Sequence, residues 1–96
     1  MQDYIPLDLN DAVRVLKEEL SKKDLKTIQE CAHELEVTAK THFTLGRGLR
    51  NSWGLWADSR LAQWFAGQRV LHPDEMSARI ITALWSELNQ TKPNHG

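Results

Sequence analysis

From Asp8 to Leu20 the apolar positions Leu9, Ala12, Val13, Leu16 and Leu20 recur at steps of three and four with charges between them. That is the spacing of one face of a helix. Asp8, with Asp11 three residues on, supplies a side-chain acceptor at its start, so a first helix is predicted over residues 8–20. Ser21, with Asp24 three residues later, repeats the start signal. It opens the most regular stripe in the chain, Leu25, Ile28, Ala32, Leu35, Ala39 and His42, which predicts a second helix over 22–43 with that stripe, His42 included, facing a core. The two helices are expected as an antiparallel hairpin with almost no loop.

Beyond this the period fades. Thr38, Thr41 and Thr44 restrict χ1 freedom, and Gly46 and Gly48 admit backbone angles that other residues avoid. The helix is therefore expected to end near 43–45 and to be followed by a short helical turn over 45–51. Ser52-Trp53-Gly54-Leu55-Trp56 reads as an ordered loop held by its aromatics, since each buried indole removes ~150–250 Å² from water. On that ground both Trp53 and Trp56 are expected in the core. Asp58 or Ser59 can cap a third helix over 58–66, with Leu61, Trp64 and Phe65 on one face and Gly67 as its stop. His72-Pro73-Asp74-Glu75 opens the last, 73–90: proline suits the first helical position and the acids favour the positive end of the dipole. Met76, Ile80, Ile81, Leu84, Trp85 and Leu88 give it a wide apolar face, fit for the centre of the core. The pattern thus predicts an all-α single-domain bundle of four main helices over residues 1–90, with an ordered Trp/Gly-rich connecting segment and a frayed tail at 91–96.

Length agrees with one domain, because a chain of 96 residues is too short for its core to divide. The net charge of −1 excludes a global field that would pull the molecule onto nucleic acid or an anionic membrane. The charge is unevenly spread, however. Residues 1–40 carry nine acids against six bases, and residues 41–80 three acids against five arginines, which makes the middle mildly basic. The single Cys31 allows no internal disulfide. No basic start followed by an apolar run opens the chain, and no stretch approaches ~18 apolar residues, so a soluble, cytoplasmic protein without membrane contact is expected.

Candidate chemistry concentrates between residues 42 and 77. His42, His72 and Asp74 are possible ligand types for zinc or iron, but no histidines stand at i and i+4 and Cys31 and His33 lie apart, so no metal and no cofactor are expected. Ser52, Ser59 and Ser77 lack any nucleophile-elbow, phosphate-loop or metalloprotease context. They read as cap or turn residues, and no catalytic residue is assigned. Arg50 has the planar fork to hold a carboxylate from Asp58, Asp74 or Glu75 and so brace the loop against the last helix. Arg47, Arg60 and Arg69 are the candidates for contact with a partner. Together with Arg50 and Arg79, interleaved with Trp53, Trp56 and Trp64, they also admit a nucleic-acid reading.

The run His42-Phe43, Leu45-Gly46, Leu49-Arg50-Asn51, Trp53-Gly54-Leu55-Trp56, Ser59, Leu61, Phe65, then His72-Pro73-Asp74 and Met76-Ser77, resembles the signature of a bacterial and phage family of small domains of unknown function. The likeness covers about residues 42–85, with Gly48 and Glu75 departing from it, and the first forty residues carry no such signature. It implies a shared fold and surface, with His42, Arg50, Asn51, Trp53, Trp56, His72 and Asp74 as structural signature residues, and no reaction. The function expected is a non-enzymatic protein-binding module, encoded by a phage or mobile element as an inhibitor or accessory protein. A nucleic-acid-binding regulator is the alternative. Partner identity and oligomeric state are left open.

Overall fold

The last helix is the axis of the molecule. In a computed structural model that describes residues 4–90, α6 (Pro73–Gln90) touches every other helical segment: α1 (Leu9–Glu19), α2 (Lys22–Gln29), α3 (Glu34–Thr41), a π turn (His42–Gly46), α4 (Arg47–Ser52) and α5 (Arg60–Gly67). Its predicted face is the buried one, with Met76, Ile80, Ile81 and Leu84 at 4% exposure or less. The described residues are all helical outside their loops, and they form one contiguous core. The expected tail at 91–96 lies outside the described residues.

Each helix start read from the sequence has the side-chain cap expected there. The Asp8 carboxylate accepts from the Asp11 N–H at 2.9 Å, Ser21 Oγ from Asp24 at 3.1 Å, and Ser59 Oγ from Ala62 at 3.2 Å. These bonds satisfy amides that the first helical turn leaves without partners. The α1–α2 pair follows from them with only Leu20 and Ser21 between, yet the two are not chiefly each other's neighbours: both lie against α6. Lys17 reaches Glu87 at 2.6 Å, and the Gln29 amide donates to the Leu88 carbonyl at 3.0 Å.

The second predicted helix is two. The described residues make five rods rather than four, because the chain breaks between Gln29 and Glu34 and the rod from Glu34 to Ser52 then runs on through α3, the π turn and α4. The break has its own caps. His33 Nδ1 accepts from the Glu36 N–H at 3.3 Å, while Glu36 Oε1 accepts from the Ala32 N–H at 2.7 Å, in the manner of a capping box. It is held from outside as well: the Trp85 indole N–H donates to the Cys31 carbonyl at 3.0 Å, and Asn89 Nδ2 to the Gln29 carbonyl at 3.3 Å. The break shifts the phase of the stripe. Ile28 stays buried, but Ala32, Leu35 and Ala39 are exposed, and Val37 is the α3 residue that enters the core.

The threonines do not end the rod either. Thr41 Oγ donates to the Val37 carbonyl at 2.8 Å and Thr44 Oγ to the Thr41 carbonyl at 3.4 Å. Such back-bonding competes for helical acceptors and bends a helix, and here the chain widens into a π turn instead of stopping. At the far end of the bundle Gly67 is the last residue of α5 and not its left-handed stop. That conformation falls to Arg69, with φ of 67°, in a turn closed by Arg69 N–H to Ala66 and Val70 N–H to Phe65.

Candidate functional site

The Arg50 guanidinium is buried between α4 and α6, where two other signature residues reach it, His42 through its carbonyl and Asp74 through its carboxylate. Arg50 Nη1 donates to Ser77 Oγ at 2.9 Å, Nη2 to the His42 carbonyl at 3.0 Å, and Nε lies 3.4 Å from Asp74 Oδ1. Of the three carboxylates considered for Arg50, Asp74 is the one it meets. Ser77 Oγ in turn donates to the Asp74 carbonyl at 3.0 Å, so one fork ties the π turn, α4 and the first turn of α6 together. Gly46 makes room for it. A Cβ there would lie 3.1 Å from Arg50 Nη1 and 3.2 Å from the Thr41 carbonyl oxygen.

His72 closes the same corner. Its Nδ1 accepts from the Asp74 N–H at 3.0 Å, the N-cap role expected of it, and lies 3.9 Å from Asp74 Oδ2. The ring is exposed and meets the Trp56 indole edge-on, with centroids 6.1 Å apart.

The Trp loop is ordered by its backbone as much as by its indoles. Gly54, at φ of 62°, takes the left-handed position that ends α4, and the Leu55 N–H reaches back to the Arg50 carbonyl at 3.0 Å. A side chain at Gly54 would also press on Ser59 Cβ at 3.2 Å. Trp53 and Leu55 are driven inward, at 0% and 2% exposure. Trp56 is not. It stands 62% exposed, contrary to the expectation that both loop indoles are core. The turn through Gly54 sends alternate side chains to opposite sides, and the interior already holds Trp53, whose Nε1 is buried without a hydrogen-bond partner among the described residues. Trp64 and Trp85 are half-buried at the margin of the core.

The arginines divide. Arg60 is a brace for the N-terminal arm: its Nε donates to the Ile5 carbonyl at 2.7 Å, and its guanidinium lies 5.2 Å from the centroid of the Tyr4 ring. The arm is also held by Asp11, which accepts from the Tyr4 hydroxyl and from the Leu7 N–H at 3.0 Å. The Tyr4 hydrogen bond, with help from Leu7 and Arg14, holds the Asp11 carboxyl down at about 2 and pushes the Tyr4 phenol up. Arg79 pairs with Glu75 at 3.1 Å. Arg47 and Arg69 are exposed, and neither guanidinium has a hydrogen bond or ion pair among the described residues. Asn51 is exposed on α4.

Ser59 is occupied as a cap and Ser77 under Arg50. Burial pushes the Cys31 thiol up, away from the thiolate that nucleophilic chemistry needs. A cleft of about 380 Å³ opens beside α2, lined by Leu20, Ile28, Thr41 and Leu45 among others and bordered by Asp24 and Lys40. The hydroxyls of Thr27, Thr41 and Thr44 are all spent on carbonyls of their own helices. No group of three or more His, Cys, Asp or Glu side chains among the described residues is arranged to hold a metal, and none of the described helices is long and apolar enough to cross a membrane.

Sequence reasoning missed the exposed pair of Trp56 and the His72 ring; Leu71, one residue before His72, is 73% exposed as well. Gly54 carried the signal, since a glycine three residues after Asn51 and just past the last helical turn is a left-handed helix stop that redirects the residues after it. Comparison with curated proteins and with solved structures finds no match. A family match does exist, and it begins at residue 5, so that the N-terminal helices belong to the same unit as the Arg50 corner. The chain is a member of the family described as a domain of unknown function (DUF6794), which it matches over residues 5–88.

Proposed function

We propose that this domain is a non-enzymatic protein-binding module whose contact surface is centred on Trp56. The observation that carries the reading is an indole left 62% exposed on a loop whose flanking residues Trp53 and Leu55 are fully packed. An aromatic held out by rigid backbone loses little conformational entropy on binding, and tryptophan and arginine are the residue types most enriched among interface anchors. The exposed His72 ring lies edge-on to Trp56, and its chain neighbour Leu71 is exposed as well. Arg69, two residues before Leu71, adds a cation with no internal partner among the described residues. It does so from a left-handed backbone position that glycine would occupy more cheaply. With the bacterial and phage resemblance, this supports a cytoplasmic accessory or inhibitory protein that occludes a surface of another protein.

The test is capture from a lysate of the source organism on the immobilised chain, compared with Trp56→Ala and Arg69→Ala. A partner enriched by the parent chain should lose at least ~30-fold in affinity with Trp56→Ala, the scale of a hot-spot residue. Indistinguishable capture by parent and Trp56→Ala would end this reading. Nucleic-acid binding is the competing case, and three of its five arginines are engaged internally: Arg50, Arg60 and Arg79. Arg47 and Arg69 remain, so a gel-shift titration at two salt concentrations should show a slope of no more than ~2 in log–log form. A steeper slope would favour the regulator.

A further inference from the structure

α2 and the rod that begins at Glu34 are joined by a short break, yet each packs on α6, and the cleft of about 380 Å³ lies between them. α6 also pins the break, through Trp85 on the Cys31 carbonyl and Asn89 on the Gln29 carbonyl. Both walls are therefore set from outside the cleft. Its volume falls at the small end of ligand pockets, and helix bundles commonly place such sites between helices. The lining is apolar: Ile28 is buried, Leu20 and Leu45 are half-buried, and the hydroxyls of Thr27, Thr41 and Thr44 are spent on carbonyls of their own helices. Thr44 and Leu45 belong to the π turn, an irregularity frequently found at functional sites. Arg50 takes the His42 carbonyl of that turn, and Thr44 the carbonyl of Thr41 just before it.

Two charges border the cleft, and they are not equivalent. Lys40 already has the Glu36 carboxylate beside it at 3.8 Å. The Asp24 carboxylate has no hydrogen bond or ion pair among the described residues, the Asp24 N–H alone being engaged, by Ser21 Oγ. Lys22 and Lys26 lie with Leu25 and Gln29 on another side of α2. We propose that the cleft binds a small organic amine, its apolar body seated on Leu20, Ile28 and Leu45 and its ammonium on the Asp24 carboxylate. An anionic head group would meet a lysine that Glu36 already neutralises in part, and a neutral one would make no use of the free carboxylate. Asp24 is exposed, so the charge chooses among ligands while burial of the apolar body supplies most of the affinity. For a body of about nine heavy atoms this gives a dissociation constant on the order of 1 mM. The site shares no residue with the Trp56 surface and does not rest on that reading.

Matched probes that differ in the head group alone read the selectivity: 2-cyclohexylethylamine, 2-cyclohexylethanol and cyclohexylacetate, each titrated into the full chain while the methyl resonances of Ile28 and Leu45 are followed. The amine should shift both and saturate, with the alcohol at least ~3-fold weaker and the carboxylate weaker again. Asp24→Asn should bring the amine down to the level of the alcohol. Thr27→Phe, at an exposed position on the wall, should fill the cleft and abolish the shifts while leaving the thermal melt in place. Methyl resonances unmoved by the amine would overturn the proposal, as would a carboxylate that binds as tightly as the amine. Retention of the amine preference in Asp24→Asn would overturn it too.

Discussion

α3 and α6 carry apolar residues at the same helical spacing and meet opposite fates. On α6 the stripe of Met76, Ile80, Ile81 and Leu84 is covered by every other segment of the bundle. On α3 the stripe of Leu35 and Ala39, continued by Phe43, is left in solvent, and Val37 and Gly46 take the inward places on that rod. Period alone cannot tell these cases apart. It states that a helix has an apolar side, whereas burial needs another element on that side. α6 lies at the centre and meets every other segment, but α3 lies at the edge with α6 as its main helical partner. The Trp loop repeats the contrast over three residues, with Trp53 inside and Trp56 outside.

The contrast predicts paired outcomes, read by thermal or denaturant melts. Trp53→Ala should cost ~3–5 kcal/mol, the loss typical of a buried aromatic, while Trp56→Ala should stay within ~0.5 kcal/mol. Equal losses at the two sites would break the comparison. Leu84→Ala should cost ~2–5 kcal/mol and Leu35→Ala within ~0.5 kcal/mol. Next comes the tie between the two regions. Arg50→Ala strips Ser77 and the His42 carbonyl of their donor and should cost ~2–3 kcal/mol, moderated because Asp74 is half-exposed and hydrates. A melt unmoved by that change would show that the corner needs no fork.

Arg69→Gly has the opposite sign. It removes a side chain from a left-handed residue and should stabilise the fold by ~0.5–1 kcal/mol, with capture of a partner weakened in the same protein. The smallest effect expected is that of pH on the arm. Asp11 is held below its ordinary carboxylate range, so its contribution is complete above pH ~4. It is lost as pH falls towards about 2, when protonation of the carboxylate weakens its hold on Tyr4 and Leu7. The ring resonances of Tyr4, the only tyrosine in the chain, should report the release in that window. A shift centred well above pH ~4 would assign the arm to another group.

Much of the Arg50 corner was legible in advance. The His72 cap, and a carboxylate partner for Arg50 among Asp58, Asp74 and Glu75, both rest on the chemistry of the residue types; that the partner is Asp74 came from the fold. The break at Glu30 to His33 was written less plainly, as His33 with Glu36 three residues on, because histidine is an unusual cap and the apolar stripe ran straight across it. Arg60 could not be assigned from its surroundings in the chain. Its acceptor is the Ile5 carbonyl, 55 residues away.

By itself the amino-acid order determined that this is a helical protein, where its caps fall at Asp8, Ser21 and His72 and within the pair Asp58-Ser59, and that 73–90 forms the central helix. Those outcomes depend on bonds and periods within a few residues, which a local reading contains. Only the tertiary structure decided which side of α3 is covered, that Trp56 points outward, and which arginines are spent internally. Each of these turns on a surface or a carbonyl brought near from far along the chain, and no local pattern encodes whether that neighbour will be there.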